Sequence, residues 1–241
     1  MELQTFETYL SVNERQIKDK MIVIIDTLRA TSVITTALYN GAKEVIPVAE
    51  IEEAVNFVKN FGREGYLLGG ERNTFKIDGF DLSNSPLEYT KEVVQGKTVI
   101  LTTTNGTRAL KKVSANDDVI LGCLLNAGSI AEYIAQGNKD VAIVCSGTEG
   151  KFSIDDIVTA GVIFDKLNKY LDFDSDDLTK ASYQLYKPFS NDITKIIELG
   201  THYKNLKKQG FDKDLEFCLS IDKYNIIPRY KDGVVRVIAD F

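Results

Sequence analysis

Short runs of apolar, largely β-branched residues recur along the chain, separated by longer stretches whose apolar positions keep a helical spacing. The runs predict strands at Met21–Ile25, Val45–Val48, Tyr66–Leu68, Thr98–Leu101, Val119–Leu121, Val141–Cys145 and, late in the chain, Val234–Ala239. Several are apolar at every position, the pattern of strands whose sheet is covered on both faces. Between them, Ile51, Ala54, Val55 and Val58 mark one buried stripe of a helix over Ile51–Phe61, and Ile157, Val158, Gly161, Val162 and Leu167 mark another over Ile154–Leu171. Strands alternating with helices predict an α/β fold on a mostly parallel sheet.

Local signals refine these elements. Ser153 with Asp156 three residues on reads as a capping-box-like helix start, and Asn126 as the N-cap of a helix over Ala127–Gln136. From about Asp172 the pattern turns mainly helical and more charged, through Leu178–Tyr186 and Ile193–Leu199, before Pro228 and the final strand. A single domain over residues 1–241 is the default reading, with a subdivision, if any, near 172.

Composition narrows the function classes. With 241 residues, 44% hydrophobic and 27% charged, the chain has an ordinary globular make-up. A net charge of −6 argues against a nucleic-acid surface, so any bound anion must be gripped by local groups. The first residues carry no apolar run of signal-peptide length, and no stretch approaches the ~20 apolar residues of a membrane span. A cytoplasmic protein without membrane contact is expected. Cys123, Cys145 and Cys218 form no Cys-x-x-Cys pair and read as buried free thiols.

The unusual polar clusters follow the predicted strands, where open α/β sheets bind ligands. Five could face one crevice: Asp26–Ser32, Gly69–Asn73, Thr102–Thr107, Asn126 and Ser146–Gly150. In the first, Asp26 offers hard oxygen to a divalent cation, Arg29 a bidentate grip on phosphate, and Thr31 and Ser32 hydroxyls at a helix start. The bland alternative makes Asp26 a strand-end cap with Arg29 as its ion-pair partner. Thr103, Thr104, Asn105, Gly106 and Thr107 form a loop able to wrap an oxyanion, where a simple cap would need only one such residue. Glu71 and Asp81 could complete a carboxylate site, with Arg72, Asn84 and Ser85 on a second anionic group; the Asp155–Asp156 pair repeats the theme.

Absences prune the mechanisms. The only histidine, His202, lies in the late helical region and reads as a surface or capping residue, leaving histidine-based nucleophile chemistry without its parts. Cys145 begins a Cys-x5-Lys run rather than the Cys-x5-Arg of cysteine phosphatases, and Gly150-Lys151 lacks the leading glycine of a P-loop. Asp26-Thr27-Leu28 is similar to an aspartate-nucleophile start, with Leu28 in place of the second aspartate.

Taken together, VIIDTLRATS at Val23–Ser32, NGAKEVIPVA at Asn40–Ala49, GGERN at Gly69–Asn73, GFDLSNSP at Gly79–Pro86, TTTNGTRAL at Thr102–Leu110 and SGTEGKFSIDD at Ser146–Asp156 resemble the 2-phosphosulfolactate phosphatase family. The likeness is strong over roughly residues 20 to 165 and weaker beyond, at Asp214–Cys218 and Pro228. It implies a three-layer α/β/α fold with a mixed, mostly parallel sheet, and Mg²⁺-dependent hydrolysis of phosphosulfolactate to sulfolactate and phosphate, a coenzyme M pathway reaction. The expected partner is a small anionic phosphorylated substrate, with a homodimer as the oligomeric option. On this reading Asp26, with Glu71, Asp81 or Asp155, holds Mg²⁺. Arg29, Asn105 and Thr107 serve catalysis, while Thr31, Ser32, Arg72, Asn84, Ser85, Thr103, Thr104 and Gly106 bind substrate. Attack by water or by Asp26, a different phosphorylated hydroxy acid, and a non-enzymatic anion sensor stay open.

Overall fold

The computed structural model describes residues 1–238. Among these, eleven strands form one sheet: β1 (Glu2–Phe6), β2 (Met21–Ile25), β3 (Glu44–Pro47), β4 (Tyr66–Arg72), β5 (Phe75–Lys76), β6 (Thr98–Thr102), β7 (Val119–Gly122), β8 (Val141–Cys145), β9 (Asp174–Ser175), β10 (Pro228–Lys231) and β11 (Val234–Val237). Their order is β5-β4-β6-β3-β11-β10-β7-β2-β8-β1-β9. β4, β6 and β3 run parallel, as do β7, β2, β8, β1 and β9. The antiparallel β10–β11 hairpin joins these two blocks, pairing Tyr230 with Val119 on one side and Val235 with Val45 on the other. The sheet is thus mixed and mostly parallel, with helices on both faces as an α/β/α architecture requires.

β2 shows why apolar runs became central strands. Met21, Val23 and Ile25 enter one core with the helices Ala127–Gly137 and Ile154–Leu167, whereas Ile22 and Ile24 enter another with the helix Ala30–Tyr39. Period-two side chains with two covered faces leave no polar position. The second core also gathers Val45, Val99, Leu101, Val119, Leu121, Tyr230 and Val235, so the sheet curls around the helices Ala30–Tyr39 and Gly106–Lys112. That curl brings the carboxyl ends of β2 and β6 together although four strands separate them in the sheet.

Six of the predicted strands appear within a few residues of their expected limits, and the seventh spans Val234–Val237; Ala239 lies outside the described residues. The helix from Ile154 stops at Leu167. Gly69–Arg72 belong to β4 rather than to a loop after it, because Gly69 and Gly70 pair with Leu101 and Thr102. A Cβ on Gly69 would stand 2.2 Å from the Tyr89 hydroxyl, and one on Gly70 would stand 2.0 Å from Thr102 O. Close approach, not a turn, is the reason for these glycines.

Ser153 and Asn126 hold N-cap positions without capping through their side chains. Asp156 accepts instead from the amides of Thr27 (3.0 Å) and Gly147 (2.9 Å), tying the β2 and β8 loops together. Among the described residues, no helix is long and apolar enough to cross a membrane.

Candidate active site

Where β2, β4, β6 and β8 end, a cavity of about 230 Å³ opens, closed on its far side by the helix Thr201–Lys208 and the residues after it. Asp26 lies at its floor. Its backbone is pinned by Thr31, whose amide and hydroxyl both donate to Asp26 O, at 2.9 and 2.8 Å, and its Oδ1 accepts from the Ala30 amide at 3.3 Å. Gly106 packs directly against Oδ2. Burial raises the Asp26 carboxyl from its ordinary value to about 6; the Asp155 and Glu71 charges add to the rise, and His202 and the Ala30 amide oppose it.

Arg29 is buried beside it. One guanidinium nitrogen donates to Asp214 at 2.6 Å, another to Thr74 O at 3.0 Å, and the plane lies 4.1 Å from the centre of the Phe211 ring. Arg29 therefore pairs with Asp214, not with Asp26, and Asp214 in turn accepts from the Ser85 hydroxyl at 2.7 Å. Glu71 lines the pocket with its oxygens accepting from the amides of Thr104 (2.7 Å) and Thr74 (2.8 Å).

Asp26, Arg29, Glu71, Asn84, Thr103, Thr104 and Asn105 all face this cavity, as expected of one site. Thr148 and Glu149 join them from the β8 loop. Asn84 Oδ1 is buried without a hydrogen-bond partner. Other expected residues serve the frame instead. Thr31 and Ser32 return their hydroxyls to Asp26 O and Thr27 O. Thr103 and Thr107 satisfy each other's amides, so the oxyanion cradle expected across Thr103–Thr107 is already engaged at those amides and at that of Thr104. Arg72 donates to Glu71 O, Ala49 O and the Thr102 hydroxyl, and Ser85 is committed to Asp214.

Asp81 is not in the site. It is exposed, paired with Arg63 at 2.9 Å and accepting from the Leu68 amide at 2.8 Å. Asn126 is likewise elsewhere, fully buried and bonded to Cys123, Leu121 and Ile226 backbone. Asp155 stands behind the wall, next to His202.

His202 overturns the reading of the lone histidine as a surface or capping residue. It lines the pocket, 15% exposed, with Nδ1 3.5 Å from Asp155 Oδ2. Burial alone would lower its pKa, but the Asp155 carboxylate outweighs this and raises it above the ordinary histidine value. Burial pushes Asp155 up in turn, and His202 and the Ser153 hydroxyl bring it below the usual carboxylate range. Asn205 and Gln209 share the His202 wall at helical spacings of three and four. That spacing is the signal a sequence reading could have used.

Residues 6–233 match the family model described as 2-phosphosulpholactate phosphatase. This chain belongs to that family. Similar proteins, each described as a probable 2-phosphosulfolactate phosphatase, include one from Caldanaerobacter subterraneus, 61% identical over the whole of both chains. Another, from Clostridium tetani, is 47% identical over 93% of this chain and 95% of its own. A third, from Caldicellulosiruptor saccharolyticus, is 47% identical over 99% and 100%. Family membership makes the chain a phosphoric monoester hydrolase.

Proposed function

We propose that this chain hydrolyses 2-phosphosulfolactate, the substrate in its relatives' names, to sulfolactate and phosphate, and that it does so with Mg²⁺. The observation that carries the reading is that a buried carboxylate, Asp26, and a buried guanidinium, Arg29, line one small polar cavity.

Charge supports the metal. The lining carries Asp26, Glu71 and Glu149 against Arg29 and His202, and Arg29 is already balanced by Asp214. A substrate bearing phosphate, carboxylate and sulfonate meets net negative walls there, and a divalent cation reverses that repulsion. Among the described residues no three His, Cys, Asp or Glu side chains form a metal-binding group. Mg²⁺ needs none, because it binds through one or two carboxylates together with substrate phosphate and water. Asp26 and Glu71 fit that role; bound there, Mg²⁺ neutralises phosphoryl charge.

The protein groups do the rest. Guanidinium N–H groups of Arg29 not held by Asp214 and Thr74 bind phosphoryl oxygens and stabilise the charge that develops on them. Cationic His202 gives its proton to the leaving alkoxide of sulfolactate. Asn84, Asn105 and the Thr103 and Thr104 hydroxyls orient the acid end of the substrate. Attack on phosphorus comes from water or from Asp26. Phosphate release from synthetic 2-phosphosulfolactate, with Mg²⁺ and then with excess EDTA, tests the proposal: turnover that vanishes with chelation and returns with Mg²⁺ is expected. Undiminished turnover in EDTA would remove the metal, and no turnover beside rapid hydrolysis of a carboxylate analogue would replace the substrate.

A further inference from the structure

We infer that Thr74 and Gln209 form a latch across the mouth of the cavity, through which Thr74 acts as a positioning residue for Arg29 and Glu71. The inference rests on the proposed reading of this cavity as the phosphatase site. Thr74 is the second residue of the two-residue turn between β4 and β5, and both turn residues lie in the left-handed region, Asn73 at φ 52° and Thr74 at φ 75°. Turns of this kind favour glycine at the second position, and a β-branched residue at such a φ is an outlier. Local turn chemistry thus gives no reason for threonine.

Its contacts give one. The hydroxyl, which also meets the Asn73 carbonyl, contacts the side-chain amide of Gln209 on the opposite wall. The carbonyl accepts from Arg29 at 3.0 Å, and the amide donates to Glu71 Oε2 at 2.8 Å. One residue therefore touches the cation, a carboxylate and the segment that follows the His202 helix. Beside it the rings of Phe75 and Phe211 lie 6.3 Å apart, and Phe211 also carries the Arg29 guanidinium, so hairpin, arginine and C-terminal wall close a ring of contacts. Within that ring the Arg29–Asp214 pair is buried, and breaking it strands a charge. The Thr74–Gln209 contact joins two neutral groups at the solvent-facing rim, so it is the link that opens and closes as substrate passes.

Three substitutions test this. Thr74→Gly keeps the turn and removes the hydroxyl, Gln209→Ala removes the other half, and Thr74→Ser keeps the hydroxyl. Thr74→Gly and Gln209→Ala should each raise KM roughly 5-fold with kcat changed less than about 2-fold, the mark of lost ground-state positioning. Thr74→Ser should stay near wild type, and the Thr74→Gly/Gln209→Ala double variant should be no worse than either single one. Wild-type KM in either single variant, or additive effects in the double, overturns the latch. Hydrogen exchange of the free protein separates this from the substrate assignment: Gln209→Ala should speed exchange across residues 71–76, and unchanged exchange there overturns the latch whichever phosphate ester is turned over.

Discussion

A Cβ on Gly106 would stand 2.7 Å from Asp26 Oδ2 and 2.6 Å from the Ala30 methyl, too close for either to stay where it is. Gly106→Ala should therefore displace Asp26, cutting kcat/KM about 10²-fold through misplacement and costing about 1–3 kcal/mol by overpacking. Steady-state kinetics and urea unfolding check the two effects separately. The same site predicts a bell-shaped pH profile. On the proposed mechanism Asp26 must ionise to bind metal or attack, so kcat/KM should rise as pH climbs through about 6. On the same proposal His202 must carry its proton, so activity should fall above its raised pKa, and His202→Asn should abolish that alkaline limb while shifting the acid limb to higher pH, because His202 no longer holds the Asp26 pKa down. Asp26, Arg29 and Glu71 were legible because each follows or ends a strand. His202 was not, since the stripe it shares with Asn205 and Gln209 is made of polar residues that, without the fold, look like any solvent-facing helix side.

Between elements, the Arg29–Asp214 pair joins the loop after β2 to the helix Asp212–Cys218, with side chains 2% and 6% exposed. Asp214→Asn leaves the guanidinium buried without its counter-charge, and a loss of about 3–5 kcal/mol is expected from chemical denaturation. The partner came from a stretch almost 200 residues away, which no spacing rule reaches. Helices and central strands were readable because their apolar periods are long or unbroken. β1 was not, because Glu2, Gln4 and Thr5 interrupt its apolar positions, and its place beside β8 depends on pairing rather than on its own sequence. Asp81 misled for a related reason: a carboxylate in a polar loop looks alike whether it meets a metal or, as here, an arginine.

Across the whole molecule, Cys123, Cys145 and Cys218 are fully buried, and burial raises each thiol above its ordinary value. Folding keeps these protons on, so the stability they confer is complete below the unfolded thiol pKa of about 8.5 and is lost as pH rises beyond it, by up to ~1.4 kcal/mol per pH unit for each thiol. Native protein at pH 7.5 should resist iodoacetamide and take up three labels only in denaturant, and the urea midpoint should fall steeply above pH 9. The β10–β11 hairpin has a different reach. It is the last paired structure among the described residues, yet it fills the centre of the sheet between β3 and β7. A ribosome emits that centre last. Until Val237 has cleared the exit tunnel, seconds after β7 at ordinary translation rates, the nascent chain carries two half-sheets, each with a bare edge open to other chains. Chaperone demand during synthesis is therefore written into the topology, and a stalled chain ending before Pro228 is the species most prone to aggregate.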